Sequence, residues 1–337
     1  MKIAVIGAGS IGGLVGAKLA AAGESVTFMV RGANLSTIRA QGLALVSADG
    51  TRQVVTNVQA TSDYAQTGPQ DVVVLAVKAH QVQDVLADLP HLLAPHTVVV
   101  PMQNGIPFWY FHDHGGALAG TPVTSVDPGG RIATSIAARH LIGCVVYPAA
   151  ELTSPGVVKH IEGDRFPLGE LDGSTTERVT RLSEVFIRAG FKAPVLDNIR
   201  AEIWLKLWGN LTFNPISSLA HATLADICQF PLSRELAASM MTEAQAVALK
   251  LGITFRVSLE KRIAGAEKVG KHKTSMLQDI EAGRAPEIDA LVGSVIELAR
   301  LTETPTPHID TVYALVKLLA RMMEEQQGQL RLQPRAG

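Results

Sequence analysis

The sequence has few cysteines, and it has no long apolar run. Its 337 residues contain two cysteines, Cys144 and Cys228, which match no metal-ligand spacing and no disulfide framework. This usage fits a reducing compartment, so we expect a cytoplasmic location. Because no stretch of about 18 apolar residues runs without interruption, the sequence predicts no membrane span and no membrane partner.

Charge is also scarce. Charged residues make up 18% of the chain and hydrophobic residues 47%, and the formal net charge is −1. A disordered chain shows the opposite balance, so the composition predicts a well-buried globular protein. The near-neutral charge argues against a nucleic-acid partner. The length is sufficient for two domains, each with its own core.

The N-terminus combines a predicted strand, a glycine-rich turn, a predicted helix and a second strand. Lys2–Ile6 is a short apolar run, Leu14–Ala22 has a helical pattern, and Ser25–Val30 is again of strand type. The turn after the first strand consists of Gly7, Ala8, Gly9, Ser10, Ile11 and Gly12. A GxGxxG motif in this context is typical of a dinucleotide site.

The glycines of this turn have separate tasks in such a site. Gly7 allows the tight turn, Gly9 lets backbone N–H groups approach a pyrophosphate, and Gly12 lets the helix pack closely on the strand. The N-terminus of the helix adds a positive partial charge that favours phosphates. We therefore predict that residues 7–12 bind a dinucleotide cofactor.

The end of the second predicted strand distinguishes NAD from NADP. An NAD site places an acidic residue there to bind the ribose 2′-hydroxyl. This chain instead continues with Arg31, and no Asp or Glu lies close by. Because a guanidinium can pair with a 2′-phosphate, the sequence favours NADP. The alternative is a solvated loop arginine.

Two polar residues follow later predicted strands. Lys78 comes after the apolar run Asp71–Val77, and Asn104 comes shortly after Thr97–Pro101. In open parallel sheets the ligand lies beyond the carboxyl ends of the strands, so we place Lys78 and Asn104 near the cofactor or substrate. Each has the alternative of a plain polar loop residue.

Further strand patterns extend this half of the chain. A hairpin around Asp49-Gly50 is predicted from Leu43–Val46 and Gln53–Val58. Three later runs are expected to add antiparallel strands to the sheet: Leu141–Val146, Gly156–Glu162 and Phe166–Leu168.

An aromatic run and two histidines lie between these strands. Phe108–Phe111 is either a lid over the site or an apolar loop held in the core. His112 and His114 are spaced like two metal ligands, but no third ligand is evident, so we predict no metal.

The stretch 198–219, NIRAEIWLKLWGNLTFNPISSL, has the pattern of a helix with a narrow polar strip. We expect this helix to end at the Asn214-Pro215 boundary. With Lys206 at zero on the helical wheel, Glu202 and Asn210 lie about 40° to either side. Most of the remaining circumference is apolar. The strip therefore either binds a polar ligand or contains a lysine that reaches water beside capping asparagines.

The rest of the chain is predicted to be nearly all helical. The predicted helices after residue 219 are Leu232–Leu251, Leu259–Leu277, Pro286–Leu301 and Ile309–Met323. Pro286 suits a first helical position, which puts Glu287 in the first turn, where plain capping also explains a carboxylate. We predict a cofactor-binding domain over 1–197, a helical substrate and dimerisation domain over 198–325, and a disordered tail over 326–337.

Together these motifs resemble the ketopantoate (2-dehydropantoate) reductase family, from Met1 to about Met323. The likeness lies in GAGSIG, VKAHQ around Lys78, QNG around Asn104, NIRAEIWLKLWGNLTFNP and SMLQDIEAGRAPEID. It implies an α/β fold with an N-terminal Rossmann-type doubly wound sheet. It also implies an all-helical C-terminal domain of the 6-phosphogluconate dehydrogenase type.

The resemblance implies roles for individual residues. Lys206 matches the catalytic lysine of the family, and Glu287 matches a glutamate that binds substrate and assists. Contacts with substrate or cofactor are implied for Asn104, Asn210, Asn214 and Ser275. The implied reaction is the reduction of a 2-keto acid by NADPH without a metal. Hydride addition builds negative charge on the keto oxygen, and an ammonium suits that charge.

Two features depart from the family pattern. His272 stands three residues before Ser275, where an asparagine is common, so we include His272 among the substrate-binding candidates. Phe108–Phe111 is bulkier than the usual turn. Both departures leave open a bulkier or aromatic 2-keto acid as substrate.

Two other activities remain as hypotheses. One is an opine-type or 3-hydroxy acid dehydrogenase of the same superfamily, against which Glu287 and Ser275 argue. The other is a non-catalytic NADP-sensing regulator, in which Lys206 would have no use. A homodimer formed through the helical domain is a further expectation.

Overall fold

The computed structural model describes residues 1–332, and the chain divides into two compact units. The first unit consists of Met1–Gln103, Phe108–Pro122 and Gly129–Ile199. The second contains Asn104–Pro107, Val123–Pro128 and the chain from Arg200 onward. Two short segments of the N-terminal half therefore belong to the C-terminal unit.

The first unit contains eleven strands and five helices. The strands are β1 Lys2–Ile6, β2 Ser25–Met29, β3 Leu43–Val46, β4 Arg52–Val55, β5 Val58–Thr61, β6 Val72–Leu75, β7 Val98–Pro101, β8 Gly143–Cys144, β9 Ala149–Ser154, β10 Val157–Glu162 and β11 Leu168–Gly169. The helices are α1 Ser10–Ala21, α2 Gly32–Gln41, α3 Tyr64–Thr67, α4 Arg131–Ser135 and α5 Glu177–Arg188.

The main sheet has five parallel strands in the order β5-β2-β1-β6-β7. The side chains of β6 and β7 are buried throughout, which explains their unbroken apolar sequences. The carboxyl ends of the adjacent parallel strands β1, β2 and β6 lie at the same end of the sheet. The strand order reverses between β1 and β6. This architecture confirms the predicted Rossmann-type fold.

The remaining strands form two smaller sheets. β3 pairs antiparallel with β4 as predicted, but β4 ends at Val55, and Val58 begins a strand of the main sheet. β10 pairs with β9 and β3 in a second sheet of order β4-β3-β10-β9, and β8 pairs with β11 in a third. The run Leu141–Val146 does reach the main sheet, through a parallel bridge between Leu141 and Val99. The expectation that all three later runs add antiparallel strands to the main sheet is therefore wrong. An alternating pattern predicts a strand but not its partner.

The second unit is helical. Its helices are α6 Ile199–Ala220, α7 Leu224–Gln229, α8 Pro231–Lys250, α9 Leu259–Val269, α10 Ser275–Glu281, α11 Ser294–Leu301 and α12 Pro307–Glu325, with a π-helical turn over Asp289–Gly293. Among the residues that the structure describes, no helix is long and apolar enough to span a membrane.

Helix α6 does not end at Asn214-Pro215 but continues to Ala220 with Pro215 inside it. A proline in a helix interior removes one N–H donor and costs about 3 kcal/mol. Burial of apolar side chains offsets this cost, because Phe213 and Ile216 are only 3% and 6% exposed. The buried Ser217 hydroxyl is satisfied by donating to the Ala222 carbonyl at 2.6 Å. The Ser218 hydroxyl also donates to the Asn214 carbonyl at 2.9 Å. The predicted boundary is therefore wrong.

Two further helix boundaries differ from the predictions. The run Leu259–Leu277 forms two helices, because Gly270 ends α9 with φ +83° and Thr274 caps α10. The helical segment predicted to begin at Pro286 begins at Ile288, so Glu287 precedes its first turn. Of the tail 326–337 that is predicted to be disordered, residues 333–337 lie outside the described part of the chain.

Candidate active site

In the first unit, the glycine-rich turn connects β1 directly to α1. Gly9 is the N-cap of α1, and its carbonyl accepts the N–H of Gly13 at 2.8 Å. No side chain caps this helix end. The N–H groups of the first turn are therefore available for an anion, and the helix dipole favours one there.

The turn is tight at one glycine and open at another. A Cβ atom on Gly12 would lie 1.9 Å from the Gly7 carbonyl oxygen, so the helix packs directly on the turn. A Cβ atom on Gly9 would meet nothing within 4 Å. The geometry thus combines close packing behind the turn with open space in front of it, which fits a pyrophosphate group.

Arg31 and Lys78 follow the strands as the sequence predicts. Arg31 is exposed, lies two residues after β2, and is the N-cap of α2. Lys78 lies three residues after β6 and is half-buried at the start of a 3₁₀ turn, Ala79–Val85. Their binding of cofactor stays a prediction.

In the second unit, Lys206 lies on the polar strip of α6. Its ammonium donates a hydrogen bond to the Asn104 side-chain oxygen at 2.6 Å. Lys206 is half-buried, and Trp204 and Trp208 on either side of it in the sequence are completely buried. The Trp208 indole donates to the Met241 carbonyl at 2.7 Å, which fixes the rotation of the helix. The apolar circumference of α6 thus holds the lysine at a defined place.

Glu202, one turn before Lys206, is only 2% exposed. It forms an ion pair with Arg256. A buried carboxylate is stabilised by such a partner. Nothing in the sequence connects Glu202 with Arg256, which lies 54 residues further along the chain.

The structure brings two more predicted site residues together. The Asn214 amide donates to the Ser275 hydroxyl at 3.5 Å, which is a long hydrogen bond. Asn214 is 5% exposed, whereas Ser275 is exposed at the start of α10. Asn210 is half-buried between Lys206 and Asn214 along α6.

His272 and Glu287 lie in the segments before helices. The His272 carbonyl accepts the N–H of Leu224 at 3.1 Å, and its side chain is half-buried. The Glu287 carbonyl accepts the N–H of Leu291 at 3.1 Å, which opens the helical segment. Contacts of these two residues with substrate stay predictions.

A carboxylate that sequence reasoning did not single out binds the segment Val123–Pro128 to α11. Glu297 accepts the backbone N–H and the hydroxyl of Thr124, both at 2.7 Å, and the N–H of Ser125 at 2.8 Å. The Ser125 hydroxyl also donates to it. Burial acts to raise the pKa of Glu297, but these hydrogen bonds outweigh it and hold the pKa below the usual 4.5.

We expect Glu297→Gln to destabilise the protein by about 2 kcal/mol at pH 7, because hydrogen bonds to an ionised acceptor are lost. A carboxylate with a lowered pKa in the folded state stabilises the fold above its unfolded pKa. This contribution is lost as the pH falls through the folded value. Urea unfolding at pH 7 and at pH 3.5 tests this. The difference between the wild type and the variant should shrink at the lower pH, and a constant difference would contradict it.

The aromatic run is part of the core of the first unit. Phe108 is 5% exposed, Trp109 is 1% exposed, and Tyr110 and Phe111 are completely buried. A Cβ atom on Gly143 would lie 2.9 Å from the Trp109 ring, so the loop is packed tightly. The alternative that Phe108–Phe111 forms a lid is therefore wrong.

Within the described residues, no group of three or more metal-ligand side chains is close enough together to bind an ion. His112 and His114 thus find no third ligand there.

Comparison with known proteins follows the same division of the chain. Residues 3–173 match a family model described as "Ketopantoate reductase PanE/ApbA". Residues 198–320 match "Ketopantoate reductase PanE/ApbA C terminal". The two matches together extend over most of the sequence.

Individual proteins are similar over nearly the full length. A 2-dehydropantoate 2-reductase from Mesorhizobium japonicum is 53% identical, covering 95% of this chain and 98% of that protein. One from Pyrococcus horikoshii is 31% identical over 94% of this chain and 97% of that protein. The crystal structure of a putative ketopantoate reductase from Ralstonia solanacearum superposes with a TM-score of 0.91. It is 42% identical and covers 96% of this chain and 98% of that one.

Proposed function

Because the chain belongs to the ketopantoate reductase family and is an oxidoreductase, we propose that it uses NADPH to reduce ketopantoate to pantoate. This is the reaction that supplies pantoate for pantothenate and coenzyme A. The observation that carries the proposal is the hydrogen bond from the Lys206 ammonium to Asn104. A half-buried, oriented ammonium on an otherwise apolar helix is what the reduction of a carbonyl requires.

Lys206 acts as the general acid in this mechanism. The nicotinamide, when bound, supplies the hydride that adds to the keto carbon. Negative charge then develops on the keto oxygen, and the Lys206 ammonium stabilises it and transfers a proton to it. The Asn104 side-chain oxygen accepts a hydrogen bond from one ammonium N–H at 2.6 Å. This contact restricts the directions in which the other two N–H groups point.

The surrounding polar residues are assigned to substrate binding. Asn210, Asn214 and Ser275 offer amide and hydroxyl donors for a carboxylate or a hydroxyl group. Glu287 offers an acceptor that selects a substrate hydroxyl, and His272 contacts the same substrate. Ketopantoate carries both a carboxylate and a hydroxyl, which matches this set.

The cofactor assignment rests on the turn at residues 7–12 and on Arg31. The open space in front of Gly9 receives the pyrophosphate, and Lys78 and Asn104 are further cofactor contacts. The exposed guanidinium of Arg31, at the end of β2, pairs with the 2′-phosphate that distinguishes NADPH from NADH.

We expect Arg31→Ala to weaken NADPH binding by roughly tenfold or more, since a charge-assisted hydrogen bond contributes about 1.5–3 kcal/mol. NADH lacks the 2′-phosphate, so its affinity should stay the same. Fluorescence titration with both cofactors measures this, with Arg52→Ala as a control for an exposed arginine. Equal losses for the two cofactors would refute the role of Arg31.

A bulkier 2-keto acid is the second candidate substrate. Two sequence features favour such a substrate: His272 and the bulky aromatic run. Phe108–Phe111 is buried in the core of the first unit, so only His272 supports a bulkier 2-keto acid. Ketopantoate therefore remains the first choice.

A further inference from the structure

The helical segment after Glu287 contains a π-helical turn, Asp289–Gly293. The N–H of Ser294 donates to the Asp289 carbonyl, five residues back. In an α-helix it would donate to the Ala290 carbonyl, four residues back. The Ala290 carbonyl therefore does not receive the Ser294 N–H that it would bind in an α-helix. Turns of this kind are rare and occur frequently at functional sites.

The Ala290 carbonyl binds a different segment of the second unit. It accepts the N–H of Ile106 at 3.1 Å, and the Ser294 hydroxyl at 2.7 Å. Ile106 lies two residues after Asn104, the hydrogen-bond partner of Lys206. The π turn thus anchors the segment that carries Asn104 through a backbone hydrogen bond.

Gly105 makes this anchoring possible. A Cβ atom at this position would lie 2.0 Å from the Ala290 oxygen and 2.5 Å from its carbonyl carbon. The φ angle of Gly105 is +91°, a conformation that residues with a side chain rarely adopt. The segment and the π turn therefore approach each other backbone to backbone, which any larger residue at 105 would prevent.

Helix α12 holds the other side of the π turn. The Tyr313 hydroxyl donates to the Asp289 carboxylate at 2.7 Å, and the Lys317 ammonium donates to its second oxygen at 3.0 Å. The Tyr313 ring also lies against Gly293, where a Cβ atom would be 3.2 Å from the ring. Both ends of the turn are thereby fixed to one helix.

We propose that the π turn positions the catalytic groups, with Gly105 and Tyr313 as positioning residues that touch neither substrate nor cofactor. The turn fixes Asn104, and through it the Lys206 ammonium, and it begins two residues after Glu287. A displacement of about 1 Å in such a geometry lowers turnover by roughly 100-fold. This inference rests on the proposed function, because it assigns proton transfer to Lys206.

The test combines amide hydrogen exchange at Ile106 with kinetics of NADPH oxidation by ketopantoate. Gly105→Ala should remove the protection of the Ile106 N–H and lower kcat by roughly 100-fold. The Kd for NADPH should change much less than kcat, because Asn104 is one of several proposed cofactor contacts. Gly50→Ala is the matched control, because Gly50 has φ +87° and nothing within 4 Å of its Cβ position. Gly50→Ala introduces the same backbone strain without a steric clash. It should leave the Ile106 protection and kcat unchanged.

Tyr313→Phe is the second variant, and it keeps the ring that packs on Gly293 while removing the donor to Asp289. It should lower both the Ile106 protection and kcat even if Gly105→Ala does not fold. If the Ile106 N–H stays protected in the folded variants, the proposed anchoring of the Asn104 segment by the π turn is wrong. Lost protection with normal kcat would overturn its positioning role. If the wild-type protein reduces no 2-keto acid, the proposed function and the positioning role are both wrong, whereas the anchoring of the Asn104 segment is not affected.

Discussion

Replacement of Lys206 by alanine is expected to lower kcat for ketopantoate by roughly 10³-fold, since a positioned general acid contributes a factor of about 10²–10⁴. The affinity for NADPH should remain within about twofold, because the ammonium acts mainly on charge that develops in the transition state. The loss should therefore fall on kcat rather than on cofactor binding.

The comparison needs a lysine that has no part in the proposed chemistry. Lys261 is exposed on α9 of the same unit, and Lys261→Ala should keep normal turnover. Steady-state kinetics and fluorescence titration of NADPH are measured for both variants. Near-normal kcat in Lys206→Ala would remove this lysine from the mechanism.

The second large effect is expected at Gly9. Gly9→Ala should weaken NADPH binding by roughly 10- to 100-fold, because the methyl group would stand in the open space where the pyrophosphate approaches the N–H groups. A Cβ atom there meets no protein atom within 4 Å, so the melting temperature should be unchanged.

Two other glycines calibrate this result. Gly12→Ala places a Cβ atom 1.9 Å from the Gly7 carbonyl oxygen, so it should destabilise the fold as well as weaken binding. Gly265 lies in α9 with nothing within 4 Å, so Gly265→Ala should leave NADPH affinity unchanged. Unchanged affinity in Gly9→Ala would exclude the turn as the pyrophosphate site.

The parts of the structure that sequence could predict are those with a local signal. The turn at residues 7–12 combines a glycine spacing with a strand before it and a helix after it, and all three lie within 20 residues. Helix α6 shows its narrow polar strip in its own periodicity. The place where α6 ends depends instead on burial of Phe213 and Ile216 beside Pro215, which offsets the effect of the proline.

The parts that sequence could not predict depend on distant partners. Thr124 and Ser125 are 173 and 172 residues from Glu297, and a loop serine or threonine has no sequence feature that indicates such a carboxylate. The π turn at Asp289–Gly293 likewise has no sequence signature of its own. The one local hint was Gly105 in the QNG motif, whose need for a glycine becomes clear only from its approach to Ala290.

The measurement that tests the central claim most directly is NADPH oxidation, followed by absorbance, with ketopantoate beside a panel of bulkier 2-keto acids. We predict that ketopantoate is reduced fastest and that NADPH is used in preference to NADH. Preference for a bulkier acid would keep the mechanism and change the substrate. Tight NADPH binding without reduction of any 2-keto acid would contradict the assignment of this protein as a reductase and favour a cofactor-sensing role.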